Sequence, residues 1–99
     1  MDRTIEIGGQ RYVLRYSLNA MCEMERAAGG SLDRMIEKQF SAARLLLWGA
    51  LIDRQPEMTI AEAGRLMDRW LRDGRTLEEL LSVCDQAMEE AGFFARAAM

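Results

Sequence analysis

The chain has no histidine, which removes both the commonest general acid or base and the commonest zinc ligand. It has one proline, Pro56, and two cysteines, Cys22 and Cys84, far apart and without Cys-x-x-Cys spacing. Such cysteines are expected as reduced thiols inside helix cores, because free cysteine is among the most buried residue types. Long hydrophobic runs are missing. The most apolar stretch, Leu45 to Ile52, falls far short of the roughly 20 residues that span a bilayer, and no apolar segment follows Met1-Asp2-Arg3-Thr4 as in a signal peptide. A soluble protein that is not secreted and has no membrane partner is the expectation. Basic excess is missing too: 13 Lys and Arg stand against 16 Asp and Glu, a formal charge of -3. That balance disfavours nucleic acid, since phosphate contacts require a net basic surface. The glycines form no Gly-x-Gly-x-x-Gly or Walker pattern and read as turns and caps.

What is present is an ordinary globular composition, 49% hydrophobic and 29% charged over 99 residues, enough for one domain with one core. Gly8-Gly9 divides two alternating segments and reads as a two-residue hairpin loop. The implied register sets Ile7 against Gln10, Glu6 against Arg11, Ile5 against Tyr12, Thr4 against Val13 and Arg3 against Leu14. It gathers Ile5, Ile7, Tyr12, Leu14 and Tyr16 on one face, which must pack on the helices of the rest of the chain because an isolated hairpin is barely stable in water.

Ser17 reads as the N-cap of a first helix with Leu18, Met21, Cys22, Glu25 and Ala28 inward, ended by Gly29-Gly30. Glu25 is the odd member of that face. Ser31 opens a short second helix with Leu32, Met35 and Ile36 inward, and Ser41 caps a third, Ala42 to about Arg54, apolar nearly all round and therefore central. Thr59-Ile60-Ala61-Glu62 and Thr76-Leu77-Glu78-Glu79 are capping boxes. The fourth helix buries Ile60, Ala63, Gly64, Met67, Trp70 and Leu71 and ends at Asp73-Gly74. The fifth, Leu77 to about Ala91, buries Leu77, Leu80, Leu81, Cys84, Ala87, Met88 and Ala91. The expected fold is α+β and mostly helical: a hairpin over residues 1–16 packed on a bundle of about five helices over 17–92, then an apolar tail over 93–99. That tail, with Phe93 and Phe94, either folds back on the core or offers an adhesive end.

No constellation for catalysis emerges. The pairs Glu23/Glu25, Glu78/Glu79 and Glu89/Glu90 read as helix-surface charges, with no nucleophile or base to complete a site. Arg65, Arg69 and Arg72, at i, i+4 and i+7 with Arg75 beyond, form either a ridge for an anionic partner or a solvated face laced with ion pairs to Asp68 and Asp73. A helix-turn-helix reading suffers because Leu77-Glu78-Glu79 would put carboxylates where base contacts belong. Eight methionines either fill core gaps or make adaptable contact surfaces; Met21, Met35, Met67 and Met88 lie on buried stripes, whereas Met24 falls off its stripe and is the candidate for partner contact.

The hairpin, the helix opening Leu18-Asn19-Ala20-Met21-Cys22-Glu23-Met24-Glu25, the core helix with Leu45-Leu46-Leu47-Trp48, and then Pro56, Thr59 and Ala63-Gly64 together resemble the tail assembly chaperones of long-tailed phages, closest to the gene-transfer-agent branch. The resemblance runs over nearly the whole chain; the Phe93 to Met99 tail departs from it. It implies a non-enzymatic, cofactor-free helper that binds the tape-measure protein and recruits tail-tube protein in the bacterial cytoplasm. A structural tail-tube-associated subunit, a self-associating form, and a small regulator of a host protein or nucleic acid are the alternatives. Partner contact is expected through the outer face of the second strand, Arg11, Val13 and Arg15, and the first-helix residues Asn19, Glu23 and Met24.

Overall fold

The structure, a computed structural model, describes residues 3–30 and 39–93. Strands β1 (Arg3–Ile7) and β2 (Gln10–Leu14) form an antiparallel hairpin in the register expected from the sequence. Gly8 and Gly9 have φ of 61° and 80°, the left-handed values that both central residues of a type I′ turn require. Alternation then buries Ile5, Ile7, Tyr12, Leu14 and Tyr16.

Four helices come after it among the described residues: α1 (Leu18–Ala27), α2 (Gln39–Leu51), α3 (Ile60–Arg72) and α4 (Leu77–Ala91). The fifth helix expected after Ser31 falls outside the described residues. The fold is α+β and mostly helical, with α2 at its centre, touching α1, α3, α4 and β2. One apolar cluster unites Leu14, Met24, Leu47, Leu51, Trp70 and Leu80 from the hairpin and all four helices.

Polar atoms lock the hairpin to this centre. The Arg15 backbone N–H donates to Ala50 O at 2.9 Å and the Tyr16 hydroxyl to Leu46 O at 2.6 Å. Burial pushes the Tyr16 hydroxyl pKa well up and that of its neighbour Cys84 up to about 11, so both stay protonated at neutral pH. Arg3 forks onto Glu90 with bonds of 3.2 and 2.8 Å, joining the two ends of the described chain.

Both capping boxes form. The Thr59 and Thr76 backbone N–H groups, helped by their hydroxyls, hold the Glu62 and Glu79 carboxyls below the usual range. α3 ends in a Schellman motif, in which Arg75 N–H reaches Trp70 O and Gly74 N–H reaches Leu71 O. That geometry brings Arg75 over the Trp70 ring at 4.5 Å, a cation–π contact where this motif often has an apolar one.

Three details correct the sequence reading. Among the described residues α2 covers Gln39–Leu51, so Ser41 lies inside the helix and is not its cap. Leu71 is 44% exposed, at the edge of the α3 stripe. The largest correction concerns α1, which buries Ala20 and Met24 and leaves Leu18, Cys22 and Glu25 exposed. Its inward face is turned by about one residue, roughly 100°, from that expected. The reason lies in α2: a Cβ on Gly49 would collide with Met24 Sδ and stand 2.6 Å from its Cγ. Met24 therefore fills a slot that only glycine leaves open, and the rotation keeps the Glu25 carboxylate in water, where its charge costs least.

Candidate functional site

The expected contact residues divide into two groups. Arg11 and Val13 on β2, and Arg15 just beyond it, alternate along the face turned away from the core, with Arg11 and Arg15 exposed and Val13 half-buried. With the turn-flanking Ile7 and Gln10 as a hydrogen-bonded pair, alternation points the backbone groups of Arg11 and Val13 away from β1. Among the described residues neither makes a backbone hydrogen bond outside the hairpin, the arrangement an added strand pairs with; at Arg15 the backbone N–H is taken by Ala50 O.

Asn19 and Glu23, one turn apart on α1, line a groove of about 330 Å³ together with Ala20, Trp48, Ile52 and Pro56. Trp48 is half-buried, and its indole N–H donates to Met58 O at 2.9 Å. The ring is thereby fixed while part of it remains accessible. Asp53, also on the groove, accepts from Arg15 at 3.0 Å and lies 3.8 Å from Arg54. The Arg15–Asp53 pair connects the end of the hairpin to the groove, which Arg11, Val13 and Arg15 themselves do not line.

Met24 is the correction. At 1% exposure it is a core residue packed on Gly49, and a partner cannot touch it without local opening of α1. Sequence reasoning also misses Trp48, Ile52, Asp53 and Pro56 as groove residues. It places Trp48 wholly in the core because the helix around it is apolar on all sides; the signal that the ring reaches the surface is Pro56, which turns the chain back alongside α2.

Three of the other candidates have structural partners. Glu79 completes a cap, Glu90 pairs with Arg3, and Arg69 pairs with Asp73 at 3.4 Å. Among the described residues no three Asp, Glu or Cys side chains are placed to hold a metal ion. Cys84 is buried as expected, whereas Cys22 is exposed, a consequence of the rotation of α1.

The fold is thus that of a small α+β domain, a hairpin leading a helical bundle, and its candidate site is an open groove beside a strand edge that no described backbone pairs at Arg11 and Val13. No helix among the described residues is long and apolar enough to cross a membrane. Comparison of the chain with protein-family models, curated proteins and solved structures returned no match.

Proposed function

We propose that this chain is a non-enzymatic tail assembly chaperone of a siphophage-like particle or gene transfer agent, which binds the tape-measure protein and promotes tail-tube assembly. The observation that carries the reading is the linking of two partner-accepting features by the Arg15–Asp53 pair: the β2 edge, unpaired at Arg11 and Val13 among the described residues, and a mixed groove lined by Trp48 and Ile52 with Asn19, Glu23 and Asp53. Such a surface takes an apolar side chain of a helical or extended segment and hydrogen-bonds the polar groups beside it. A half-exposed, anchored tryptophan is the kind of residue that dominates binding energy at protein interfaces. The order of motifs along the chain supplies the family, and the absence of histidine is consistent with a role that needs no acid–base chemistry.

The test is affinity capture of the tagged protein from particle-producing cells, with mass spectrometry of bound proteins and of purified particles. Enrichment of the tape measure together with absence from particles supports the chaperone. Stoichiometric presence in particles makes the chain a structural tail subunit, and recovery of host proteins or nucleic acid alone makes it a regulator.

A further inference from the structure

A second groove shares no lining residue with the one at Trp48. It runs between the hairpin turn and α3, with a volume of about 410 Å³, and Ile7, Tyr12 and Leu66 contribute its apolar floor. A neighbouring depression of about 230 Å³ shares Tyr12, Arg65 and Leu66 and adds Met58 and Glu62. Together they run alongside the helix as one strip with an apolar floor. Its rim is cationic: Arg65, Arg69 and Arg72 line the larger part and extend over about 10 Å of helix at 1.5 Å per residue.

These arginines are not all committed elsewhere. Arg69 is held in place, its stem so close over Gly8 that a Cβ there would lie 3.2 Å from Arg69 Cγ, and it pairs with Asp73. The Arg65 and Arg72 side chains make no ion pair or hydrogen bond to any described residue. The acid that Arg65 influences most clearly, Glu62, already has its carboxylate on the Thr59 N–H. Two acids lie along the two depressions, Asp68 and Glu62, against three arginines, and the Glu62 carboxylate is already engaged by its own cap, leaving local positive charge on a chain whose net charge is -3.

We infer that this groove docks an amphipathic acidic helix of a protein partner, its apolar stripe on Tyr12, Leu66 and Met58 and its carboxylates at i, i+4 and i+7 facing the three arginines. Guanidinium groups bind carboxylates through paired hydrogen bonds, and helix-in-groove recognition reads anchors at this spacing. Nucleic acid fits less well: a phosphate backbone has no apolar stripe for the floor, and the net negative chain repels a long polyanion. The inference stands whether or not the tape-measure reading holds, because it uses a different surface.

The experiment titrates the full chain into a fluorescent synthetic helix of about 18 residues, long enough to hold helical structure, with Glu at i, i+4 and i+7 beside a leucine stripe. The same peptide with Lys for Glu and a single-stranded oligonucleotide are the comparisons. The expected result is saturable, salt-sensitive binding of the Glu peptide, absent with the Lys peptide and weakened about tenfold or more by Arg65→Ala with Arg72→Ala. If that variant does not fold, Arg65→Gln with Arg72→Gln replaces it in the same comparison. Failure of the Glu peptide to bind, equal binding of the two peptides, unchanged affinity of the variant, or tighter binding of the oligonucleotide would each overturn the proposal. So would self-association of the chain that the same variant abolishes, since the occupant would then be a second copy.

Discussion

Replacing Gly49 with alanine sets two opposed effects against each other in one residue. Alanine is favoured over glycine in a helix interior by about 1 kcal/mol, and α2 is a helix on both sides of position 49. Against this, the new Cβ would collide with Met24 Sδ and approach its Cγ to 2.6 Å. Met24 cannot swing into solvent, being 1% exposed and surrounded by the core, so the two helices must separate or Met24 must leave its rotamer. Overpacking of this kind costs about 1 to 3 kcal/mol. A close approach to the middle of a buried side chain belongs in the upper part of that range, so Gly49→Ala is expected to destabilise by about 1 kcal/mol net. For a domain of this size that is a fall in Tm of about 4 to 8 °C, measurable by circular dichroism. The sharper assay is the double-mutant cycle. Met24→Ala alone is expected to cost about 2 to 5 kcal/mol, but it removes the atoms that the new Cβ would strike. In that background Gly49→Ala is expected to change sign and stabilise, as helix propensity alone dictates. Equal destabilisation in both backgrounds would refute the claim that Met24 occupies the Gly49 slot, and with it the orientation of α1.

Thiol labelling in the native state at pH 8 is expected to modify Cys22 rapidly, because it is exposed, and to spare Cys84, whose thiol is buried with its pKa up at about 11; comparable rates would contradict the rotation of α1. Tyr16→Phe removes the 2.6 Å bond to Leu46 O and is expected to lower stability by about 1 kcal/mol, read by urea denaturation. Because the folded-state carboxyls of Glu62 and Glu79 titrate below their ordinary value of 4.5, their stabilising effect is present above that pH and is lost as pH falls through the lowered values. The double variant Glu62→Gln with Glu79→Gln is therefore expected to show a shallower loss of Tm below pH 4.5 than the parent, and an identical acid limb would count against the caps. Thr76→Ala is expected to cost about 1 kcal/mol through loss of the N-cap of α4, again by urea denaturation.

Local rules carried much of this fold. The hairpin register follows from Gly8-Gly9 and the alternation around it, since a slip of one residue would turn Ile5, Ile7, Tyr12 and Leu14 to water. The starts of α3 and α4 follow from two capping boxes whose partners lie three residues apart, and the inward stripe of α4 from its spacing alone. The boundaries of α2 were less legible, because a helix that is apolar on all sides has little amphipathic contrast to show where it begins. The candidate site was legible only in part. Asn19, Glu23 and Arg15 were within reach of sequence reasoning, but the groove that joins them is made by Trp48, Ile52, Asp53 and Pro56, which are about 30 residues further along and become neighbours only when α1 lies on α2.

What the sequence by itself determined is everything decided over a few residues: the turn, the caps, the alternation of the strands and the helical character of each segment, because backbone sterics and short-range hydrogen bonds act within one or two turns. The tertiary structure alone decided which way α1 faces. Periodicity admits Leu18 with Cys22 or Ala20 with Met24 as the inward pair, and the choice rests on Gly49, twenty-five residues beyond Met24, whose missing side chain leaves a slot deep enough for methionine. The same packing buries Met24, exposes Cys22 and brings Asn19 and Glu23 to the groove at Trp48, since a helix can turn only as a rigid unit and one buried contact reorients every side chain it carries.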